Sequence, residues 1–209
     1  MAAVFFKRRP APSVQQVEFK LDRMDATEEY ELIRKFLRGE QWAFDKLMKL
    51  HQKRVYRIAL GMVGDHDEAA DIAQEVFIKV FRSLKSFKFS SSFGTWIHRI
   101  AVNHCISQLR RKKLRDHVSL SEVSHLLRSP LGRPGRELAL KDLEQEIEEA
   151  IAELPPKQRA IFVMHYYEEL PHKEIARIMK RSEGAIKSSY CQAVKKLRKR
   201  FSDHGQIES

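Results

Sequence analysis

Between Asp65 and Leu84 the apolar residues Ala69, Ile72, Val76, Val80 and Leu84 recur every three or four positions, with Ala73 beside them and no glycine or proline in the run. Such spacing gathers the apolar groups on one face of an α-helix but scatters them over both faces of a strand, so only a helix buries them together. Asp65 stands where an N-cap belongs, and Glu68 three residues later completes a capping-box pattern. Acids (Asp65, Asp67, Glu68, Asp71, Glu75) crowd the start and bases (Lys79, Arg82, Lys85) the end, the order that a helix dipole favours. The same period recurs along the chain. Leu32, Ile33, Phe36 and Leu37 form a stripe that Gly39 ends. Phe44, Leu47, Met48, His51, Val55, Ile58 and Ala59 line a helix over about 41–62, with Gly61 and Gly64 bracketing its end. Further helices are expected at about 95–115, 157–167 (with Pro156 placed to start it), 172–179 and 183–201. Eight glycines and seven prolines in 209 residues are too few to punctuate many short strands. The expectation is an all-α chain of two small helical domains joined by a flexible linker. Residues 1–26 read as an N-terminal arm, 27–115 as the first domain, 116–136 as the linker and 137–203 as the second domain. The linker holds Pro130, Gly132, Pro134 and Gly135 and leaves room for a short helix near Leu126; an acidic helix begins near Glu137.

The net charge of +11 and pI near 9.7 point to a polyanionic partner, and the clustering of the bases favours nucleic acid over a membrane surface. Cys105 and Cys191 lie far apart, without CxxC spacing, and read as free thiols of a reducing cytoplasm. No apolar run reaches the length of a membrane span, and the start MAAVFFKRRP does not have the layout of a signal peptide. There is no P-loop glycine pattern, paired metal-ligand motif or nucleophile elbow. His104 beside Cys105, and His165 beside Tyr166, read as structural single residues. No cofactor, no metal and no enzymatic activity are expected.

The segment 170–200, LPHKEIARIMKRSEGAIKSSYCQAVKKLRKR, holds two short apolar stripes around a turn: Ile175, Ala176 and Met179, then RSEG, then Ile186, Tyr190, Val194 and Leu197. Gly184 is the residue expected to take the strained angle of the turn. The pattern is that of a helix-turn-helix, whose second helix lies in the major groove. Arg181, Ser182, Glu183, Lys187, Ser188, Ser189, Gln192, Lys195 and Lys196 are the candidates to meet duplex DNA: short polar groups for base edges, lysines for phosphate. From Arg177 to Arg200 there are nine bases and one acid.

In the helix at 95–115, Trp96, Arg99, Asn103 and Arg110 share one face, with Ile97, Ala101, Cys105 and Leu109 opposite. It ends in the basic run LRRKKLR and follows a serine-rich loop, SFKFSSSFGT, whose phenylalanines must find a core or a ligand. A Trp-Arg-Asn-Arg stripe can stack on unpaired bases and hold their backbone; Trp96 reads equally well as a core residue. Asn103 is a poor mid-helix choice without a partner.

These residues resemble a known family. DHDEAADIAQEVFIKVFRSLKSFK and SFGTWIHRIAVNHCISQLRRKK are similar to region 2 of bacterial sigma factors, and LPPKQRAIFVMHYYEELPHKEIARIMKRSEGAIKSSYCQAVKKLRKRF to their region 4. Two regions with little else is the plan of the extracytoplasmic-function group of the sigma-70 family, and the resemblance covers about residues 28–203. It implies a factor that binds core RNA polymerase, directs it to promoters and promotes strand opening for initiation. Its expected partners are the beta-prime clamp helices, the beta flap, promoter DNA and an anti-sigma factor. Asp71, Gln74, Glu75, Lys79 and Arg82 would meet the clamp helices. Phe89, Ser91, Phe93, Trp96, Arg99, Asn103, Arg110 and Arg111 would capture and open the minus-ten element, and the second helix of the helix-turn-helix would read the minus-thirty-five element. The run Lys187-Ser188-Ser189-Tyr190, with Gln192 before Ala193, departs from the family's more basic Lys-Ser-Arg-Leu pattern and implies an altered preference there. Pro171 stands where a Ser or Thr cap is common. The resemblance also implies a cytoplasmic protein, held at the inner membrane where its anti-sigma factor is membrane-bound. Competing readings are a one-component helix-turn-helix regulator with an N-terminal sensing domain, an enzyme acting on nucleic acid, and an RNA-binding regulator.

Overall fold

The computed structural model describes residues 26–118 and 145–204, with side chains at 27–115 and 145–202. The N-terminal arm, the short helix near Leu126, most of the expected linker and the start of the acidic helix lie outside the described residues. Those described form α1 (Ala26–Leu37), α2 (Gln41–Val63), α3 (His66–Ser83), a 3-10 turn (Leu84–Ser86) and α4 (Phe93–Val118). Then follow α5 (residues 145–152), α6 (Pro156–Tyr166), α7 (His172–Met179) and α8 (Glu183–His204). Among the described residues there is no strand, and no helix is long and apolar enough to cross a membrane.

Local chemistry sets the boundaries. Gly64, at φ 76°, closes α2 in the left-handed conformation and donates its N–H to the Leu60 carbonyl. Asp65 then caps α3, accepting the Glu68 N–H at 2.8 Å. The Glu68 carboxylate also lies 2.9 Å from Lys112 on α4. The α3 stripe is buried as its spacing predicts, and Phe77 joins it. The expected loop at 86–95 is shorter, because Ser92 starts α4 early: its hydroxyl accepts the Thr95 N–H at 3.1 Å.

α1 to α4 enclose a core that includes Ile33, Leu47, Ile58, Val76, Leu84 and Ile97. Each such side chain contributes about 1.5–3 kcal/mol by leaving water. Ile151, Leu154, Phe162, Ala193 and Leu197 make a second core among α5, α6 and α8. The two halves also touch. Ile161, Met164, Leu170, Ile175 and Ile186 belong to the first core, and α6 and α7 pack on α2 and α4. Sequence reasoning gives no sign of this shared core except Gly61. A mid-helix glycine costs roughly 1 kcal/mol against alanine, and here it lets α6 approach α2 closely.

Candidate nucleic-acid interface

Two faces could receive nucleic acid. The first is built on α4 and the segment before it. Tyr30, Phe87, Phe89, Phe93 and Trp96 form one aromatic cluster with neighbouring ring centroids 4.9–6.2 Å apart. The Tyr30 hydroxyl donates to the Ser91 carbonyl at 3.2 Å, fixing the loop. Phe89 adopts φ 54° there and lies half-buried under the Arg34 guanidinium. Phe93 is only 1% exposed, so the expectation that it meets a DNA strand is corrected: it is a core ring on which Trp96 and Phe87 rest. Trp96 itself is half-buried: one portion packs on Phe87 and Phe93 and the other remains accessible. Arg99 is half-buried and donates to the Arg177 carbonyl at 3.4 Å, while Asn103, Arg110 and Arg111 are exposed. The opposite side of α4 is buried at Ile97, Ala101 and Cys105.

Behind this face sits a group that sequence reasoning missed. His98 is fully buried, and its ring nitrogens have no hydrogen-bond partner among the described residues. Burial, with help from Arg54 and His51, holds its pKa well below 6.5. His51 in turn lies 2.8 Å from the Glu29 carboxylate. The only sequence signal for His98 was its place next to Ile97 and three residues before Ala101, on the inward side of α4.

On α3, Asp71, Gln74, Glu75, Lys79 and Arg82 are all exposed. His104 of α4 organises two of them. Its Nε2 lies 2.7 Å from the Glu75 carboxylate, and its Nδ1 meets the Lys79 ammonium. His104 is 5% exposed, and its pKa is lowered, first by burial and then by Lys79. The structural role expected of it is the one it has. Ile78 and Phe81, 45% and 48% exposed, add apolar surface to the same helix. Neither was singled out from sequence, although both lie off the apolar stripe.

The second face is α8. The residue that takes the left-handed angle of the turn is Lys180, at φ 52°, and not Gly184, which lies inside α8. The difference follows from where α8 starts: Ser182 caps it, its hydroxyl accepting the Ala185 N–H at 3.3 Å. Arg181, Ser182, Glu183, Lys187, Ser188, Gln192, Lys195 and Lys196 are exposed, and Ser189 is half-buried. Glu183 pairs with Lys187 at 2.8 Å, one turn on, and that hydrogen bond lowers the carboxyl pKa. Gln192 accepts from Gln158 of α6 at 3.0 Å, which orients its amide. Ile186, Ala193 and Leu197 bury the other side against α6 and α7. Both cysteines are free; burial pushes the Cys105 thiol up to about 12, whereas Cys191 is exposed on α8. Among the described residues no cluster of His, Cys, Asp and Glu could hold a metal ion.

Comparison with known families and proteins agrees with this layout. Residues 47–115 match the family model Sigma-70 region 2, and residues 144–197 match Sigma-70, region 4. The chain is 30% identical over 179 residues to the ECF RNA polymerase sigma factor SigW of Bacillus subtilis, covering 82% of this chain and 95% of that one. It is also 30% identical over 165 residues to the ECF RNA polymerase sigma-E factor of Escherichia coli, covering 75% and 85%. Among solved structures it is similar to CnrH in complex with the cytosolic domain of CnrY, with TM-score 0.62, 19% identity, and 86% and 99% of the two chains covered. It is similar as well to the sigma factor RpoE in complex with the anti-sigma factor NepR from Bartonella quintana, with TM-score 0.58, 21% identity, and 76% and 96% covered.

Proposed function

The chain belongs to the ECF RNA polymerase sigma factors, and from that premise we propose how its two halves divide promoter recognition. As a sigma factor it directs RNA polymerase to promoters and promotes strand opening for initiation. The observation that supports the division is the contrast between its two candidate faces. One is aromatic, guanidinium and amide on α4; the other is short polar groups and lysines on α8.

In the proposed division, residues 27–115 act on the polymerase clamp helices and on the minus-ten element, and residues 137–203 on the minus-thirty-five element and the flap. Asp71, Gln74, Glu75, Lys79 and Arg82, together with Ile78 and Phe81, form the clamp contact. Trp96 and Phe89 stack on bases leaving the duplex, Asn103 hydrogen-bonds a base edge, and Arg99, Arg110 and Arg111 hold the strand. Ser91 lines the loop that receives the extruded base. Unstacking a base costs a few kcal/mol, and stacking on an aromatic side chain returns about 1–3 kcal/mol per base. Opening is driven by that binding energy, so the chain itself makes and breaks no covalent bond. In the second half, Lys187, Ser188, Ser189 and Gln192 face base edges, Arg181, Ser182, Lys195 and Lys196 face phosphates, and Glu183 positions Lys187.

The chain works in the cytoplasm, where its polymerase is, and an anti-sigma factor that covers its polymerase-binding surfaces keeps it inactive. It is held at the inner membrane where that partner is membrane-bound. The similar chain RpoE, solved with the anti-sigma factor NepR, supports this reading. A sequestering partner predicts weaker binding to core polymerase in lysate than in isolation; equal binding would remove it.

The test of the function is run-off transcription by core polymerase on a library of genomic promoter fragments, with and without the chain. Discrete starts that need the chain, sharing two upstream elements, are the expected result. Binding to duplex DNA without any new start would overturn the reading in favour of a conventional regulator.

A further inference from the structure

The space between α2, α5 and α6 is not filled. Arg57, Leu60, Gly61 and Gly64 recur at helical spacing on one side of α2, and Glu148, Ile151 and Ala152 do so on α5. The two glycines put no side chain between these rows. The result is a cavity of about 230 Å³, completed by Arg159 of α6 and by Tyr167, which follows that helix. It has room for about eight waters at about 30 Å³ each, or for one small organic molecule. Leu60, Ile151, Ala152 and the Tyr167 ring give it apolar walls.

The charges around this cavity are not balanced. Arg159 is 7% exposed and donates to the Met62 carbonyl at 2.6 Å. Its Nε has no hydrogen-bond partner, and no carboxylate among the described residues pairs with it. Burial alone lowers its pKa. The buried carboxylate of the junction is Glu168, in the turn between α6 and α7. It accepts from Arg57 at 2.7 and 2.8 Å and from Arg54 at 3.2 Å, so one anion serves two other guanidinium groups. Glu148 and His66 also line the cavity, but both are exposed to water. A buried cation is normally offset by a paired anion, and Arg159 has none.

We propose that this cavity is a binding site for a small carboxylate with an apolar body. The head pairs with Arg159, and the body lies against Leu60, Ile151, Ala152 and Tyr167. A guanidinium presents parallel N–H donors that match the two oxygens of a carboxylate. A phosphate dianion fits less well, because the Glu148 carboxylate is among the lining groups. An uncharged apolar molecule would leave Arg159 unpaired. None of these residues is assigned above to DNA or to polymerase, so the site stands apart from the promoter reading and its test needs neither partner.

The probe is phenylacetate, titrated by calorimetry into the full-length chain. Phenylacetamide supplies the same shape without the charge, and acetate supplies the head without the body. Phenylacetate should bind saturably and at least about tenfold more tightly than either, since a hydrogen bond to a charged group is worth that much. Ala152→Trp keeps the net charge and fills the cavity from an exposed helix position; it should abolish saturable binding while the circular dichroism stays that of wild type. Arg159→Gln should remove the preference for phenylacetate over phenylacetamide. Equal binding of phenylacetate and phenylacetamide overturns the proposal, and so does the absence of saturable binding at millimolar concentration. Acetate that binds as well as phenylacetate, or phenylacetate binding that persists in Ala152→Trp, overturns it in favour of adsorption to the basic surface. Should a variant misfold, nuclear cross-relaxation between the phenylacetate ring and the Leu60 and Ile151 methyl groups of wild type decides. Its presence places the probe in the cavity, and its absence overturns the proposal.

Discussion

The helices α4 and α8 both carry basic and amide side chains, but in different company. On α8 the cations and short polar groups point outward, and their partners are local: Lys187 with Glu183 one turn away, Gln192 with Gln158. On α4 the reading face is rooted in the interior. Trp96 rests on two phenylalanines, Arg99 is bonded across to α7, and His98 is buried directly behind. The difference matches the tasks proposed for them. A duplex presents a regular surface, and a protruding, locally braced helix can enter its groove. Unstacked bases have no such frame, so the protein must supply a rigid platform of rings. The α8 face should therefore behave as an additive set of contacts, and the α4 face as a unit whose support matters as much as its contacts.

The largest effect that could break this contrast is at Phe93. If it is a platform core ring, Phe93→Ala should cost about 3–5 kcal/mol of stability, read as a lower denaturant midpoint for the N-terminal half. A small change would return Phe93 to the list of strand contacts. Next, Trp96→Ala should weaken binding of polymerase holoenzyme to a pre-melted template by about 1–3 kcal/mol, leaving binding to a duplex minus-thirty-five fragment unchanged.

Acid should separate the halves further. His98 and His104 both have folded pKa values below 6.5. Their contribution is therefore complete above about 6.5 and is lost as pH falls through the folded values, when the unfolded chain binds protons that the folded one refuses. The N-terminal half should lose up to about 1.4 kcal/mol per pH unit for each histidine below that point, and His98→Gln should flatten much of the slope in denaturant melts at pH 7 and pH 5.

Much of this was legible in the sequence. The α3 stripe, its Asp65 cap and the helix-turn-helix spacing follow from periodicity and capping, which are local properties. The misses are of two kinds. Phe93 and Phe89 sit in one loop with the same chemistry, yet one is buried and one half-exposed, because the early Ser92 cap turns Phe93 inward as the first residue of α4. Lys180, not Gly184, takes the left-handed angle because the Ser182 cap brings Gly184 into the helix. Packing between the halves was not legible either, since Glu168 and Arg57 lie 111 residues apart and nothing local pairs them.

Two smaller effects sharpen the comparison. Asn103→Ala should cost about 1 kcal/mol in use of the melted element, with core polymerase binding unchanged in a competition assay. Lys195→Ala should lower the slope of log affinity against log salt by about 0.9 for duplex binding; an unchanged slope would show that Lys195 touches no phosphate.

The most direct test of the division between the halves is permanganate reactivity of unpaired thymines in a promoter bound by core polymerase and this chain. With Trp96→Ala the upstream duplex footprint should persist while thymine reactivity is lost; with Lys195→Ala fewer complexes should form, and those that form should be fully reactive. A Trp96→Ala complex that loses the upstream footprint but melts normally would contradict the account.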